Sequence, residues 1–319
     1  MMYYLGVDLG GTNIAAAVVD ENYKILATGK VKTNLPRPEA EIADAIFEAG
    51  MIAVKNANIS LDDIREVGVG TPGIVNPKTG MVCYSCNLGF KNTNLGGLLE
   101  ERFGRRVFLE NDANAAAYGE QLAGAGKGAN DFIAITLGTG VGGGVILNGN
   151  ILSGSNSAGG ELGHIVIVKD GETCGCGRNG CWESYASATA LIRQTKAAML
   201  KNKDSLMWSL VGGDIERVSG RTSFDAMRQG DETAKQVVKE FCDYVACGLT
   251  NIINIFQPDA LCIGGGISKE GETLVAPIRE YVERERYSKN VEKQTIIKAA
   301  ELGNDAGIIG AAFLGNIYR

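Results

Sequence analysis

The sequence predicts an α/β fold of two domains, each with a mixed sheet, and a cleft between them. Two observations carry this. The chain has 319 residues, more than one simple core usually holds and about the length of two domains. The pattern strand, glycine-rich loop, strand also occurs twice, at the start and again from Phe132, and helical periodicity follows each time.

Residues 3–7 form a short apolar strand, Asp8-Leu9-Gly10-Gly11-Thr12 a tight loop, and 13–19 and 23–31 two further strands of a meander that Pro36 and Pro38 end. Over 39–57, Ile42, Ile46, Ala49, Ala53 and Ala57 recur at three-to-four spacing, which predicts a helix. A strand at 67–69 is stopped by Thr71-Pro72-Gly73. A short helix at 95–103 and a buried strand at 107–109 follow. Residues 111–123 are Ala-rich and helical, with Asn111 or Asp112 at the N-terminus. In the second half, strands at 132–137 and 141–147 flank Gly138-Thr139-Gly140, and Asn148-Gly149 is a hairpin turn continued by Ile151-Leu152. Helices are predicted over 182–200 and 232–256, and a strand over 259–263 feeding Gly264-Gly265-Gly266. A helix over 273–286, a strand over 294–299 and a closing helix over 306–316 complete the chain.

Hydrophobic residues make up 45% and charged residues 21%, the balance of a globular chain and not of a disordered one. Glycine, with 44 residues, is about twice its usual share and has no collagen period. A net charge of −6 with no long basic run argues against nucleic-acid or membrane-surface partners. The first residues lack a basic stretch and meet Asp8 too early for a signal peptide. The uncharged stretch 132–160 contains nine glycines and is no spanning helix. The protein is therefore expected in the cytoplasm, where its eight cysteines are not expected to pair as disulfides. Cys83, Cys86, Cys242, Cys247 and Cys262 are scattered and read as small buried apolar residues. Cys83-x-x-Cys86 precedes no clear helix and is not read as a redox pair.

Two glycine loops can approach phosphate, and a third glycine segment offers a further close-approach surface. In the first, Gly10 and Gly11 let backbone N–H groups face an anion, Thr12 adds a hydroxyl, and Asp8 at the strand end can hold Mg²⁺ directly or through water. An ordinary hairpin with a glycine bulge is the alternative. The second, Thr136 to Gly144, repeats the arrangement with Gly138, Thr139 and Gly140. It matches G-x-G-x-x-G, but strand pattern follows where a dinucleotide site needs a helix, so a Rossmann site is excluded. Two such loops facing across a cleft would grip a nucleoside triphosphate. Gly264, Gly265 and Gly266 offer either a third surface, for adenosine, or a tight turn.

His164, the one histidine, stands beside the one dense cysteine cluster, giving H-x9-C-x-C-x4-C with Cys174, Cys176 and Cys181. Three thiolates and an imidazole suit a closed, structural tetrahedral Zn²⁺. Such a knot would fix Glu161 and Glu183 on either side of it. Rigid carboxylates are good acceptors for vicinal sugar hydroxyls; a loop Glu161 and a helix-capping Glu183 are the plain alternatives.

Taken together, Asp8 to Asn13, Glu110-Asn111-Asp112-Ala113-Asn114, Leu137 to Gly144, Gly160-Glu161-Leu162-Gly163-His164 and Cys174 to Glu183 resemble the ROK family (repressor, open reading frame, kinase), and within it the bacterial glucokinases. The order and spacing match to the closing segment 302–312. The resemblance implies an actin-like ATPase fold (hexokinase-type, ribonuclease H-like), with a small domain of 1–114 plus 301–319 and a large one of 115–300. It implies glucose as phosphoryl acceptor and ATP with Mg²⁺ as donor, the nucleotide taking Asp8, Gly10, Gly11, Thr12, Asn13, Thr136, Gly138, Thr139, Gly140 and the 264–266 glycines. Asp112 is implied as the catalytic base. Asn111, Asp112, Glu161, His164 and Glu183 are implied to line the sugar, with Gly73 and Asn87 nearby. His164 would serve both zinc and sugar. A homodimer or higher homo-oligomer is the family expectation. A kinase for N-acetylhexosamine, mannose or fructose is the nearest alternative. A non-enzymatic sugar-sensing regulator is less favoured, because the family's repressors carry an N-terminal helix-turn-helix and the first strand here is expected from Tyr3.

Overall fold

The computed structural model describes residues 2–319. In chain order the chain runs β1 (Tyr3–Leu9), β2 (Asn13–Asp20), β3 (Ile25–Lys32), α1 (Glu39–Asn56), β4 (Ile64–Thr71), β5 (Ile74–Asn76), β6 (Met81–Ser85) and β7 (Phe90–Thr93). It continues with α2 (Leu95–Phe103), β8 (Val107–Asn111), α3 (Asp112–Ala123), β9 (Phe132–Leu137), β10 (Val141–Leu147), β11 (Asn150–Ile151), α4 (Glu183–Ala186), α5 (Ala188–Lys201) and α6 (Met207–Leu210). The remainder is α7 (Thr222–Arg228), α8 (Glu232–Phe256), β12 (Ala260–Gly264), α9 (Glu272–Glu285), β13 (Ile296–Ala299), α10 (Ala306–Ala312) and α11 (Gly315–Tyr318). Among the described residues no helix is long and apolar enough to cross a membrane. Two compact units divide the chain. One takes the residues up to Ala134, Gly144–Gly160 and Glu301–Arg319; the other takes Ile135–Gly143 and Glu161–Ala300.

The first unit is built on a mixed sheet of order β3-β2-β1-β4-β8. Short turns join β1, β2 and β3 antiparallel. β4 and β8 return parallel, each after a helix, as parallel pairing requires. Leu5, Val7 and Leu9 of β1 are fully buried on one face, and Tyr4 and Gly6 are buried on the other, as suits an inner strand covered on both faces. The small antiparallel sheet β5-β6-β7 was not predicted, because its strands are three to five residues long and too short to show a period.

What matters for the site is how α3 is held. α10 crosses it backbone to backbone: a Cβ on Gly119 would lie 2.0 Å from the Ala306 carbonyl oxygen, and one on Gly310 only 1.8 Å from that of Ala115. No side chain fits between the two helices, so the closing segment grips α3. The buried Glu120 carboxylate adds to this grip, accepting from Leu302 N–H at 2.8 Å and from Ala125 N–H at 2.9 Å.

The second sheet has the order β11-β10-β9-β12-β13, with β12 and β13 parallel. β10, a strand, directly follows the Gly138-Thr139-Gly140 loop, as the exclusion of a dinucleotide site requires. The helix expected over 182–200 is broken at Ser187, whose hydroxyl accepts from Ala190 N–H at 3.1 Å and starts α5 afresh. The closing helix is likewise broken, at Phe313, between α10 and α11. α8 is the central helix of the second unit. Trp182 is fully buried against it and donates its indole N–H to the Tyr244 carbonyl at 2.8 Å.

Candidate active site and metal centre

In the first unit, the β1–β2 loop is closed by Gly10 N–H donating to the Asn13 carbonyl at 3.0 Å. It is also pinned from β3's end. The buried Thr33 donates its hydroxyl to the Gly10 carbonyl at 2.6 Å and its N–H to the Thr12 carbonyl at 3.1 Å. Thr33 was not predicted as part of the site. Nothing local marks it, because its partners come through strand pairing.

Asn111 ends β8 and caps α3, its Oδ1 accepting from Ala113 N–H at 2.9 Å and Asn114 N–H at 3.2 Å. Its Nδ2 donates to the Gly73 carbonyl at 3.0 Å, so two of the expected sugar-site residues touch. Gly73 has φ 110°, and a Cβ there would lie 2.2 Å from the Tyr84 carbonyl oxygen. Only glycine can make this turn, which sets Gly73 against β6. Asn87 is exposed on the turn after β6.

Since Asn111 supplies the cap, Asp112 is left as the first helical residue, its Oδ1 accepting from Ala113 N–H at 2.9 Å. Burial raises the Asp112 carboxyl above the usual carboxylate range, against the pull of the helix N–H groups and the Asn111 side chain. Asp8 is pushed from 3.8 up to about 6, first by burial and then by the charge of Asp112. A buried carboxylate whose ionisation is further opposed by a second carboxylate is one that a divalent cation would stabilise.

In the second unit, Gly138 N–H donates to the Gly140 carbonyl at 3.0 Å, closing the second loop. The start of α5 leans on the same loop, with Ala188 N–H to the Gly138 carbonyl at 2.8 Å and the Thr189 hydroxyl to the Thr139 carbonyl at 2.8 Å. Gly265, at φ 88°, packs on β9, where a Cβ would lie 2.3 Å from the Leu137 carbonyl oxygen. Gly264 is near Thr136. The two glycine segments of this unit are therefore neighbours.

The ligand atoms of His164, Cys174, Cys176 and Cys181 all lie within 4.8 Å of one another. The Cys174 Sγ to His164 Nδ1 distance is 3.6 Å, and Cys176 and Cys181 are 3.7 Å apart at sulfur. Burial pushes the Cys181 thiol up to about 12, whereas the Arg178 backbone N–H and nearby groups lower the exposed Cys176. A bound cation would favour the thiolate of each.

Glu183 joins this cluster to the glycine loop. Its Oε2 accepts from Val141 N–H at 3.0 Å, and the Cys174 thiol lies 3.6 Å from its Oε1. A Cβ on Gly140 would come within 2.2 Å of the same carboxylate. Glu161 is exposed and is tied in through its carbonyl, which accepts from His164 N–H at 3.1 Å.

A family model described as "ROK family" matches residues 4–316. A glucokinase of Streptomyces coelicolor is 40% identical over 312 residues, covering 97% of this chain and 96% of its own. A ROK family glucokinase of Streptomyces griseus, solved with glucose and AMPPNP, is 39% identical and covers 98% of both chains at a TM-score of 0.80. A ROK hexokinase of Thermus thermophilus is 35% identical with a TM-score of 0.81, covering 98% of this chain and 97% of its own. The expected α/β fold is therefore the one found, shared with these sugar kinases along almost the whole length. The family match, the end-to-end relatives and the shared fold give one result: the chain belongs to the ROK family.

Proposed function

We propose that the protein transfers the γ-phosphoryl group of ATP to glucose, forming glucose 6-phosphate. The observation that carries this reading is the end-to-end similarity to an enzyme solved with glucose and an ATP analogue. The loops and carboxylates quoted from the sequence support it. In this reading Asp112 accepts the proton of the sugar's 6-hydroxyl as that oxygen attacks the γ-phosphorus in line. Phosphoryl transfer needs positioning and charge stabilisation more than covalent chemistry. Asn111 and Gly73 hold the same end of the sugar, with Asn87 nearby, and Glu161, His164 and Glu183 read its other hydroxyls. Backbone N–H groups around Gly10, Gly11, Thr12 and Asn13, and around Thr136, Gly138, Thr139 and Gly140, cradle the phosphates, with 264–266 beside the adenosine. Mg²⁺, held through Asp8, would offset negative charge on the phosphates. A homodimer in the cytoplasm completes the proposal, on the family resemblance.

Zinc is the proposed occupant of the His164–Cys174–Cys176–Cys181 cluster. A tetrahedron with arms of about 2.3 Å has edges of about 3.8 Å, and the separations of 3.6 and 3.7 Å fit it. Four protein donors leave no open position, so the metal would brace the loop and not react.

The class of acceptor is tested by ATP consumption over a panel of hexoses. Glucose is expected to exceed N-acetylglucosamine by at least about tenfold in kcat/KM, roughly 1.4 kcal/mol. Faster turnover of N-acetylated sugars would move the substrate and leave the kinase standing; turnover of no sugar would end the reading.

Asp8 makes a second, independent expectation. Its carboxyl holds a proton more tightly in the fold, at about 6, than at its ordinary 3.8. Between those values the native state binds more protons than the unfolded one, so stability falls as pH rises through the window and the full cost is present above it. The cost is about 2–3 kcal/mol. Without added Mg²⁺, Asp8→Asn should therefore melt higher than the native protein at pH 7.5, with the difference gone near pH 4, and should lose activity. Equal melting temperatures at pH 7.5 would show that no such cost exists.

A further inference from the structure

Glu110 is the last buried residue of β8 and is 1% exposed, yet no role in phosphoryl transfer has been given to it. Its carboxylate is surrounded by donors. Oε1 accepts from Asn111 N–H at 2.7 Å and from the Asn114 side-chain amide at 3.0 Å. Oε2 accepts from the Tyr318 hydroxyl. A charge this buried persists only when its lone pairs are met, so the carboxylate orients whatever supplies its donors.

Those donors bracket the proposed base. Asn111 precedes Asp112 and caps α3; Asn114 lies one helical turn beyond Asn111. Oε1 therefore fixes the backbone on one side of Asp112 and a side chain on the other. The opposite oxygen is held by Tyr318, 208 positions away. Tyr318 is kept in place by α11, its N–H donating to the Leu314 carbonyl at 3.0 Å.

We propose that Glu110 is a positioning residue for the Asn111–Asp112 pair and that Tyr318 holds Glu110 in its working orientation, so that the C-terminal turn is part of the catalytic apparatus. This rests on the kinase reading above. With the phenol gone, the carboxylate loses its donor on the Oε2 side and turns to recover one, which releases Asn111 N–H or Asn114. Asp112 then shifts against the sugar hydroxyl, and a displacement of even about 1 Å is costly in such a reaction.

The test uses full-length Tyr318→Phe, Glu110→Gln and the double variant, each checked for fold by circular dichroism and assayed well below its melting temperature. Tyr318→Phe is expected to lower kcat by about tenfold or more and to raise KM for glucose, with KM for ATP within about twofold of native. Glu110→Gln keeps an acceptor for Asn111 but none for Tyr318, so it breaks the same link. The double variant should lose no more than the worse single one. A wild-type protein that phosphorylates no sugar would end the kinase reading and this inference with it. An active wild type beside variants that melt lower but keep native kcat and KM would show a structural role and overturn this inference alone. Independent, additive losses in the double variant would overturn it too.

Discussion

Asp112→Asn is expected to fold as the native chain does, to bind glucose and ATP within about an order of magnitude of it, and to lose about 10²–10⁴ in kcat, the usual span for removing a positioned general base. Asparagine matches aspartate in shape and keeps an oxygen for Ala113 N–H, but it takes up no proton at neutral pH. A residue whose work was to cap α3 would respond differently, since Asn caps as well as Asp. In this chain the cap is already Asn111, so Asp112 is free of that work. The raised carboxyl of Asp112 also brings it closer to the range in which a base gives up and takes a proton readily. Steady-state and single-turnover kinetics at saturating glucose and ATP decide the matter. A variant that keeps more than about a tenth of native kcat, with chemistry limiting turnover, would remove Asp112 as the base.

Cys181→Ser should have the largest effect on stability. Cys181 is fully buried and lies 3.7 Å from Cys176 at sulfur, and a serine there offers a weak ligand in place of a thiolate. The native protein is expected to carry about one zinc per chain, as a closed four-ligand site does, and the variant well under half of that. Metal binding at such sites is largely folding free energy, so the variant should melt far lower. Added zinc should not restore it. Activity should fall as a consequence, because the Cys174 thiol lies beside the Glu183 carboxylate, which accepts from Val141 in the glycine loop. Elemental analysis and calorimetry on both proteins check this. Native protein that is fully active with no metal would exclude zinc as the brace.

The strands, helices and loops nearest to the proposed chemistry were legible in the sequence because their signals are local. The 39–57 periodicity gives α1, and the glycines at 10–11 and 138–140 give two tight loops between strands. A single histidine beside three cysteines marks a candidate metal cluster by residue type alone. The breaks at Ser187 and Phe313 were less visible. Apolar periodicity runs through both, and what ends each helix is a cap or a change of backbone direction that the period does not record.

Convergence of distant residues is where the sequence stopped. That the ligand atoms of His164, Cys174, Cys176 and Cys181 meet within 4.8 Å was suggested by their types, but the distance is set by how the 161–183 segment folds back. Glu110 and Glu183 stood in the motifs, but their partners Tyr318, 208 positions away, and Val141, 42 positions away, had no mark in the sequence, and neither had Thr33 under the first loop. Hydrophobic period, turn chemistry and capping act within a few residues, so a sequence carries them directly. Which buried donor meets which buried acceptor is decided by strand order and by the closeness with which α10 lies on α3, and those are properties of the packed chain.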